Sequence, residues 1–335
     1  MPGAGSSRVC VYCGATSVPF NRDHVIPEAF GTFHNNLVVT CVCAKCNQFF
    51  GDEIELVLGR NSREAILRLH HGLKAPTGAH NLKYDNVKLT VGEAGPWRGA
   101  QIILAADITG TKLDTKPIAQ VAFRKKGEQE WRWFPEAALT DASIVEPYRT
   151  SDSVIQIVGP SQGDVDRLTA KLNAIGINFN QKGVLPQPVN SDGTILTKLA
   201  SRVDEAILRA VAKIAGNYVA YVHGAEFIQV KDFDAFRNWV RFGMTPTRGT
   251  PVVVVTTPIL TDDSARWRQT TGHIVTFDWN RQGDGLFAQV SLFNDLNYKI
   301  LVCPKYSGLW RDLRSGHHFD LNSRVISELR AATLL

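Results

Sequence analysis

Two Cys-x-x-Cys pairs near the start of the chain, Cys10/Cys13 and Cys43/Cys46, constrain its fold more than any other feature. Tetrahedral zinc takes four soft ligands, and each Cys-x-x-Cys turn sets two sulfurs on one side of the metal. The pairs are 29 residues apart, so a metal bridging them closes that stretch into a loop. Only six cysteines occur in 335 residues. In a reducing compartment, tight pairs among so few point to metal rather than to disulfides. Cys43 has the standard spacing to Cys46 and is taken as the ligand, with Cys41 as its alternative. Cys303, in the apolar run YKILVCP, reads as a buried strand residue.

The rest of the composition is that of an ordinary water-soluble chain: 44% hydrophobic and 21% charged residues, enough to bury a sizeable core. The length suggests two or three structural units. No run of eighteen apolar residues occurs, so no membrane span is expected. The opening MPGAGSSRVC has neither the basic head nor the apolar run of a secretory signal, and a cytoplasmic location is expected. The net charge of +5 is unevenly spread. Residues 1–75 carry seven Lys/Arg against six Asp/Glu, residues 76–195 thirteen of each, and residues 196–335 seventeen against thirteen. A nucleic-acid partner would therefore find most of its phosphate contacts in the last third.

Periodicity divides the chain into three regions. Residues 1–75 hold the cysteine motifs, followed by a helical rhythm through Phe50, Ile54, Leu58, Ile66, Leu69 and Leu73, with a break near Gly59. Residues 76–180 are β-rich, with a hairpin turning at Lys126–Gly127 and a helix closed by Gly176. Asn-, Pro- and Gly-rich residues between about 177 and 194 read as a linker. Residues 196–335 form an α/β region. A helix over 196–222 shows its apolar face at Leu199, Val203, Ala206, Ala210, Ile214 and Val219. A second helix has Asp232 as N-cap and Gly243 just past its end. Four strand candidates follow, the last two joined at Asn294–Asp295.

Inside the cysteine loop lies NRDHVIPEAFG, from Asn21 to Gly31. Asp23–His24 precede Ile26–Pro27, Asn36–Leu37 precede the second cysteine pair, and Asn47 follows its last Cys directly. Over roughly residues 8–60 this combination resembles the HNH endonuclease family. The resemblance implies an α+β protein: an N-terminal zinc-bound ββα-metal module in residues 1–75, then a larger mixed extension. It implies four structural zinc ligands, Cys10, Cys13, Cys43 and Cys46, and a separate catalytic cation. By the same resemblance Asn36 holds the hairpin loop, with Asn35 as the adjacent alternative. Asn47 stands where many members have a second His.

The residue types suit phosphodiester hydrolysis. That reaction needs a nucleophilic water, a base, and positive charge at the phosphate and leaving oxygen. An imidazole such as His24 titrates near neutral pH and can serve as base. Asp23 and Asn47 offer the oxygen ligands that hard Mg²⁺ or Mn²⁺ prefers. Neighbouring strand residues face opposite ways, which favours a division of labour between Asp23 and His24. The reading is a divalent-metal-dependent DNA endonuclease, in a setting such as restriction or antiviral defence. The rival is a non-catalytic zinc ribbon that binds nucleic acid or protein, which would have no need of Asp23, His24 and Asn47. A third possibility is a nuclease silent until a protein partner, or a second copy of the chain, engages residues 76–335.

Other features read as structural. His34, His70–His71 and His317–His318 are expected at the surface or at a helix end. The Trp–Arg stretches at 266–268, 309–314 and 124–133 are ordinary anchors beside solvated cations, or else a stacking surface for nucleic acid.

Overall fold

The computed structural model describes residues 8–73, 81–92, 95–106, 113–140, 142–150, 152–179, 183, 195–255, 272–280, 285–308 and 314–329. Asp23 and its neighbours form strand β1 (Phe20–His24), which pairs antiparallel with β2 (Val38–Cys43). The register shifts between Asn21 and Asp23, a bulge that leaves Arg22 outside the regular ladder. Helix α1 (Ala44–Phe49) follows at once, its first turn capped by the Cys43 sulfur. A π-helical turn (Phe50–Glu55) leads into α2 (Leu56–Arg60), and α3 (Arg63–His70) restarts behind Ser62, whose side chain caps it. The helical break thus falls at Asn61–Ser62 rather than at Gly59, because Ser62 supplies the N-cap and Gly59 continues the helix.

The chain divides into two units, Met1–Lys74 together with Val203–Leu335, and Ala75–Arg202. The first region read from the sequence therefore shares a unit with the C-terminal one, and their apolar residues form one continuous core.

The second unit contains two antiparallel sheets. Strands β3 (Val87–Val91), β4 (Gln101–Ala106), β5 (Leu113–Pro117) and β9 (Thr197–Ser201) align in the order β5-β4-β3-β9. Strands β6 (Gln120–Lys125), β7 (Arg132–Pro135) and β8 (Ser153–Val158) align as β7-β6-β8. Helix α4 (Gln162–Ala174) starts at a reciprocal Ser161–Asp164 capping box and buries Leu168 and Leu172 with Val121 and Phe123. The hairpin expected at Lys126–Gly127 joins β6 to β7, with Gly127 at φ +94°. Most of the expected linker lies outside the described residues.

Strand β9 overturns part of the helix expected over 196–222. Residues 197–201 pair with β3 instead, and the helix α5 (Glu205–His223) begins where Asp204 accepts the Ile207 N–H at 2.9 Å. Twelve residues of α5 are buried, on every side. Ala212, Ala215 and Gly216 give it a narrow waist, and a Cβ on Gly216 would come within 2.9 Å of the Tyr12 hydroxyl. On one side α5 meets β2, the π turn and α2; on the other it meets a six-stranded antiparallel sheet. That sheet runs β10 (Val252–Val255), β13 (Leu296–Cys303), β12 (Gly285–Leu292), β11 (Gly272–Asn280), β14 (Ser315–Asp320), β15 (Ile326–Glu328). Its last two strands carry no strong alternation and were not expected from the sequence.

Helices α6 (Ala225–Ile228) and α7 (Asp234–Phe242) complete the unit. Asp232 does not cap α7. Its carboxylate accepts the Ser307 N–H and hydroxyl, both at 2.7 Å, while Phe233 occupies the N-cap position. Gly243 ends α7 at φ +70°, as expected. In the β12–β13 turn, Phe293 and Asn294 both have positive φ, the mirror-image turn that matches strand twist. Among the described residues no helix is long and apolar enough to cross a membrane.

Buried His273 ties these layers together. Its Nδ1 accepts the Phe293 N–H at 3.1 Å, so Nε2 carries the proton and donates to the Phe30 carbonyl at 2.8 Å. Burial pushes the imidazole down to about 4, with Arg324, His318 and His71 adding to the effect and the Phe30 bond opposing it. An unfolded His titrates near 6.5, so stability held by the neutral ring is complete above about pH 6.5 and is lost as pH falls toward 4. Urea unfolding at pH 7.5 and 5.5 should show the wild type losing about 1.4 kcal/mol more than His273→Gln over that interval. Equal losses would mean the ring is protonated in the native state.

Candidate active site

The four cysteine sulfurs lie within 4.8 Å of one another. Bonds of about 2.3 Å to a tetrahedral zinc put sulfurs about 3.8 Å apart, and Cys13 and Cys43 stand at 3.7 Å. Backbone N–H groups already point at the sulfurs, from Cys43 to Cys10 and from Cys46 to Cys43, each at 3.4 Å. Arg241 of α7 donates through Nε to Cys46 at 3.2 Å while its guanidinium lies over the Phe49 ring at 3.9 Å. The cluster fits a structural zinc. Cys41 lies outside it, and burial pushes its thiol up to about 11. Cys303 is a buried strand residue, as read.

Beside this cluster the hairpin presents its polar residues at different depths. Asp23 is 5% exposed and faces inward. His24, next to it, keeps 23% of its side chain exposed, with Nε2 3.5 Å from Glu28 Oε1. Asn47, on α1, donates to the Arg22 carbonyl at 3.4 Å, which brings its amide to the bulge just before Asp23. Asn36 accepts the Phe33 N–H at 2.9 Å and closes the loop that returns to β2; Asn35 is exposed. The structure thus sets Asp23 and His24 side by side at the end of β1, with the Asn47 amide at the carbonyl just before them and Asn36 in the connecting loop.

Asp23 also has partners that the sequence reading missed. Lys213 Nζ donates to its Oδ1 at 2.6 Å, and Asn217 Nδ2 to its Oδ2 at 3.0 Å. Lys213 is also 2.7 Å from Glu55 Oε1. Burial on its own disfavours the ammonium, yet the Asp23 and Glu55 carboxylates together hold Lys213 above its ordinary value. Tyr12 donates to Asn217 Oδ1 at 2.9 Å. A signal was present in the sequence: a Lys and an Asn four residues apart in the otherwise apolar run AVAKIAGNYVAYV.

The other expectations resolve differently. His34 is exposed. His71 stacks on Phe293 at 5.2 Å. His317 and His318 are not surface residues: they lie on β14, between β11 and β15, where His318 is 4% exposed and His317 Nδ1 meets the Tyr218 hydroxyl at 2.6 Å. In the stretch 124–133, Arg124 sits over Trp131 at 4.6 Å, and Trp133 donates to the Arg98 carbonyl at 2.8 Å. Residues 266–268 and 309–313 lie outside the described residues, and Arg314 pairs with Asp278 at 3.2 Å.

Residues 10–62 match the family model for HNH endonucleases. Comparison with curated proteins and with solved structures gave no match. The N-terminal segment is therefore an HNH domain built around a cysteine cluster, followed by a larger mixed extension.

Metal analysis of the purified protein should find about one zinc per chain. Because Cys10, Cys43 and Cys46 belong to the same core as α5, Cys13→Ser or Cys46→Ser should lose zinc and lower the thermal midpoint of the whole first unit. A well-folded preparation without zinc would remove the metal from this account.

Proposed function

We propose that this protein is a zinc-stabilised, divalent-metal-dependent HNH endonuclease that hydrolyses DNA. One observation supports the reading: within the segment that matches the family, Asp23 and His24 end β1 and the Asn47 amide on α1 reaches the carbonyl just before them. His24 is the general base. It is partly open to solvent, with the Glu28 carboxylate 3.5 Å from Nε2, and takes the proton from the attacking water. The hydroxide attacks phosphorus, the P–O3′ bond breaks, and the leaving oxygen takes a proton from solvent. The products are a 5′-phosphate and a 3′-hydroxyl.

Asp23 and Asn47 are the oxygen donors that would hold a Mg²⁺ or Mn²⁺, which supplies positive charge at the phosphate and leaving oxygen. The donor chemistry fits. A carboxylate has about four acceptor positions, and Asp23 uses one on each oxygen for Lys213 and Asn217. The Asn47 amide gives its N–H₂ to Arg22, which leaves its oxygen to accept. Asn36 holds the loop. The extension supplies target contacts or a docking surface for a partner, in keeping with the positive balance of the last third.

A non-catalytic zinc module is favoured by one observation, that both Asp23 oxygens already have buried partners. Incubation with supercoiled, linear and single-stranded DNA, with and without Mg²⁺ or Mn²⁺, separates the two, since the binding module would leave every substrate intact. His24→Ala should keep its zinc and its DNA affinity while cleavage falls roughly 10²–10⁴-fold, the range for losing a general base. Asn47→Ala should regain part of its activity at high Mn²⁺. Cleavage by His24→Ala at the wild-type rate would assign the base elsewhere.

A further inference from the structure

The end of β1 is held by a helix far away in sequence. Besides their bonds to the Asp23 carboxylate, Asn217 Nδ2 donates to the His24 carbonyl at 3.2 Å, and Lys213 Nζ lies 3.4 Å from the same oxygen. The two grips are themselves fixed. The Tyr12 hydroxyl on Asn217 Oδ1 sets which way the amide points, and Glu55 holds Lys213 from the other side. Lys213 is 1% exposed and Asn217 0%.

Packing alone does not call for this arrangement. An apolar helix against an apolar hairpin would bury the same surface without desolvating two carboxylates, an ammonium and an amide. What the polar contacts add is direction. The bulge at Arg22 interrupts the ladder just before Asp23; pairing resumes at Asp23–Val39 and His24–Val38, which sets the backbone register but not the direction of the two side chains. Fixing the Asp23 carboxylate and the His24 peptide carbonyl sets the plane from which the imidazole projects. A displacement of about 1 Å in a reacting group can cost roughly 100-fold in rate.

We infer that Lys213 and Asn217 are positioning residues for the hydrolysis, acting through Asp23 and the His24 carbonyl, so that α5 belongs to the catalytic apparatus. The inference rests on the nuclease reading above.

Two variants of the full-length protein test it. Asn217→Ala removes both Asn217 bonds to the hairpin and leaves those of Lys213. Tyr12→Phe removes only the hydroxyl that orients the amide and keeps the ring packed on Phe50. Each is compared with wild type for zinc content, thermal midpoint, cleavage kinetics at saturating Mn²⁺, and hydrogen exchange over residues 20–26. The expected result for Asn217→Ala is a kcat lower by roughly 10–100-fold with KM for DNA within about twofold, and faster exchange confined to residues 20–26. Tyr12→Phe should show the same pattern more weakly, by roughly three- to tenfold in kcat. Wild-type kcat in folded Asn217→Ala would overturn the inference. So would a loss that only tracks the unfolded fraction, with exchange rising evenly over the unit. If wild-type protein cuts no DNA, the nuclease reading fails by itself. Exchange over residues 20–26 then decides the grip alone, and an unchanged rate in both variants overturns it.

Discussion

The fold of the first unit depends on one ammonium group. Lys213 lies between two carboxylates from separate parts of the HNH domain, Asp23 on β1 and Glu55 at the end of the π turn. Lys213 and Asp23 are buried and Glu55 partly so; such charges are costly to desolvate, and their mutual attraction offsets that cost only when the geometry is good. Here the geometry is fixed on every side, by Asn217, Tyr12 and the His24 carbonyl. Deleting one partner of such a group strands the others without water, a loss of about 3–5 kcal/mol in comparable cases.

The zinc cluster and α5 divide the work of holding the domain. A metal held by the four cysteines would fix the two cysteine turns and thereby the start of α1, which carries Asn47. Helix α5 fixes the far end of β1, which carries Asp23 and His24. Arg241 links the two devices, reaching Cys46 from α7 while α7 itself rests against α5. Of the residues proposed for chemistry, Asp23 and His24 sit on the strand, just past the bulge in its ladder, and Asn47 on the helix beside it.

Much of this was legible in the sequence where the cause is local. Cysteine spacing gave the four-sulfur cluster that fits a zinc, and the order Asp23–His24, Asn36, Asn47 pointed to the segment that matches the HNH family. Gly243 marked the end of α7, and Asn294–Asp295 marked the β12–β13 hairpin, whose turn residues are Phe293 and Asn294. Readings failed where distant packing overrides local preference. Residues 197–201 fit a helical rhythm, yet they complete a sheet because β3 offers an edge. Asp232 is a sound cap by its chemistry, but the turn at Ser307 claims its carboxylate. His317 and His318 showed no pattern because their surroundings come from strands on either side. Lys213 and Asn217 were visible as polar residues in an apolar helix, but no local rule names a partner 190 residues upstream.

That separation has a consequence for the order in which the protein is made. At about 5–20 residues per second, Lys213 is added roughly 10–40 s after Asp23. In that interval the emerging chain has all four zinc ligands and both residues of the Asp–His pair, but no helix against which to set them. A chain broken before that point would hold the cysteine cluster without the helix whose core it shares.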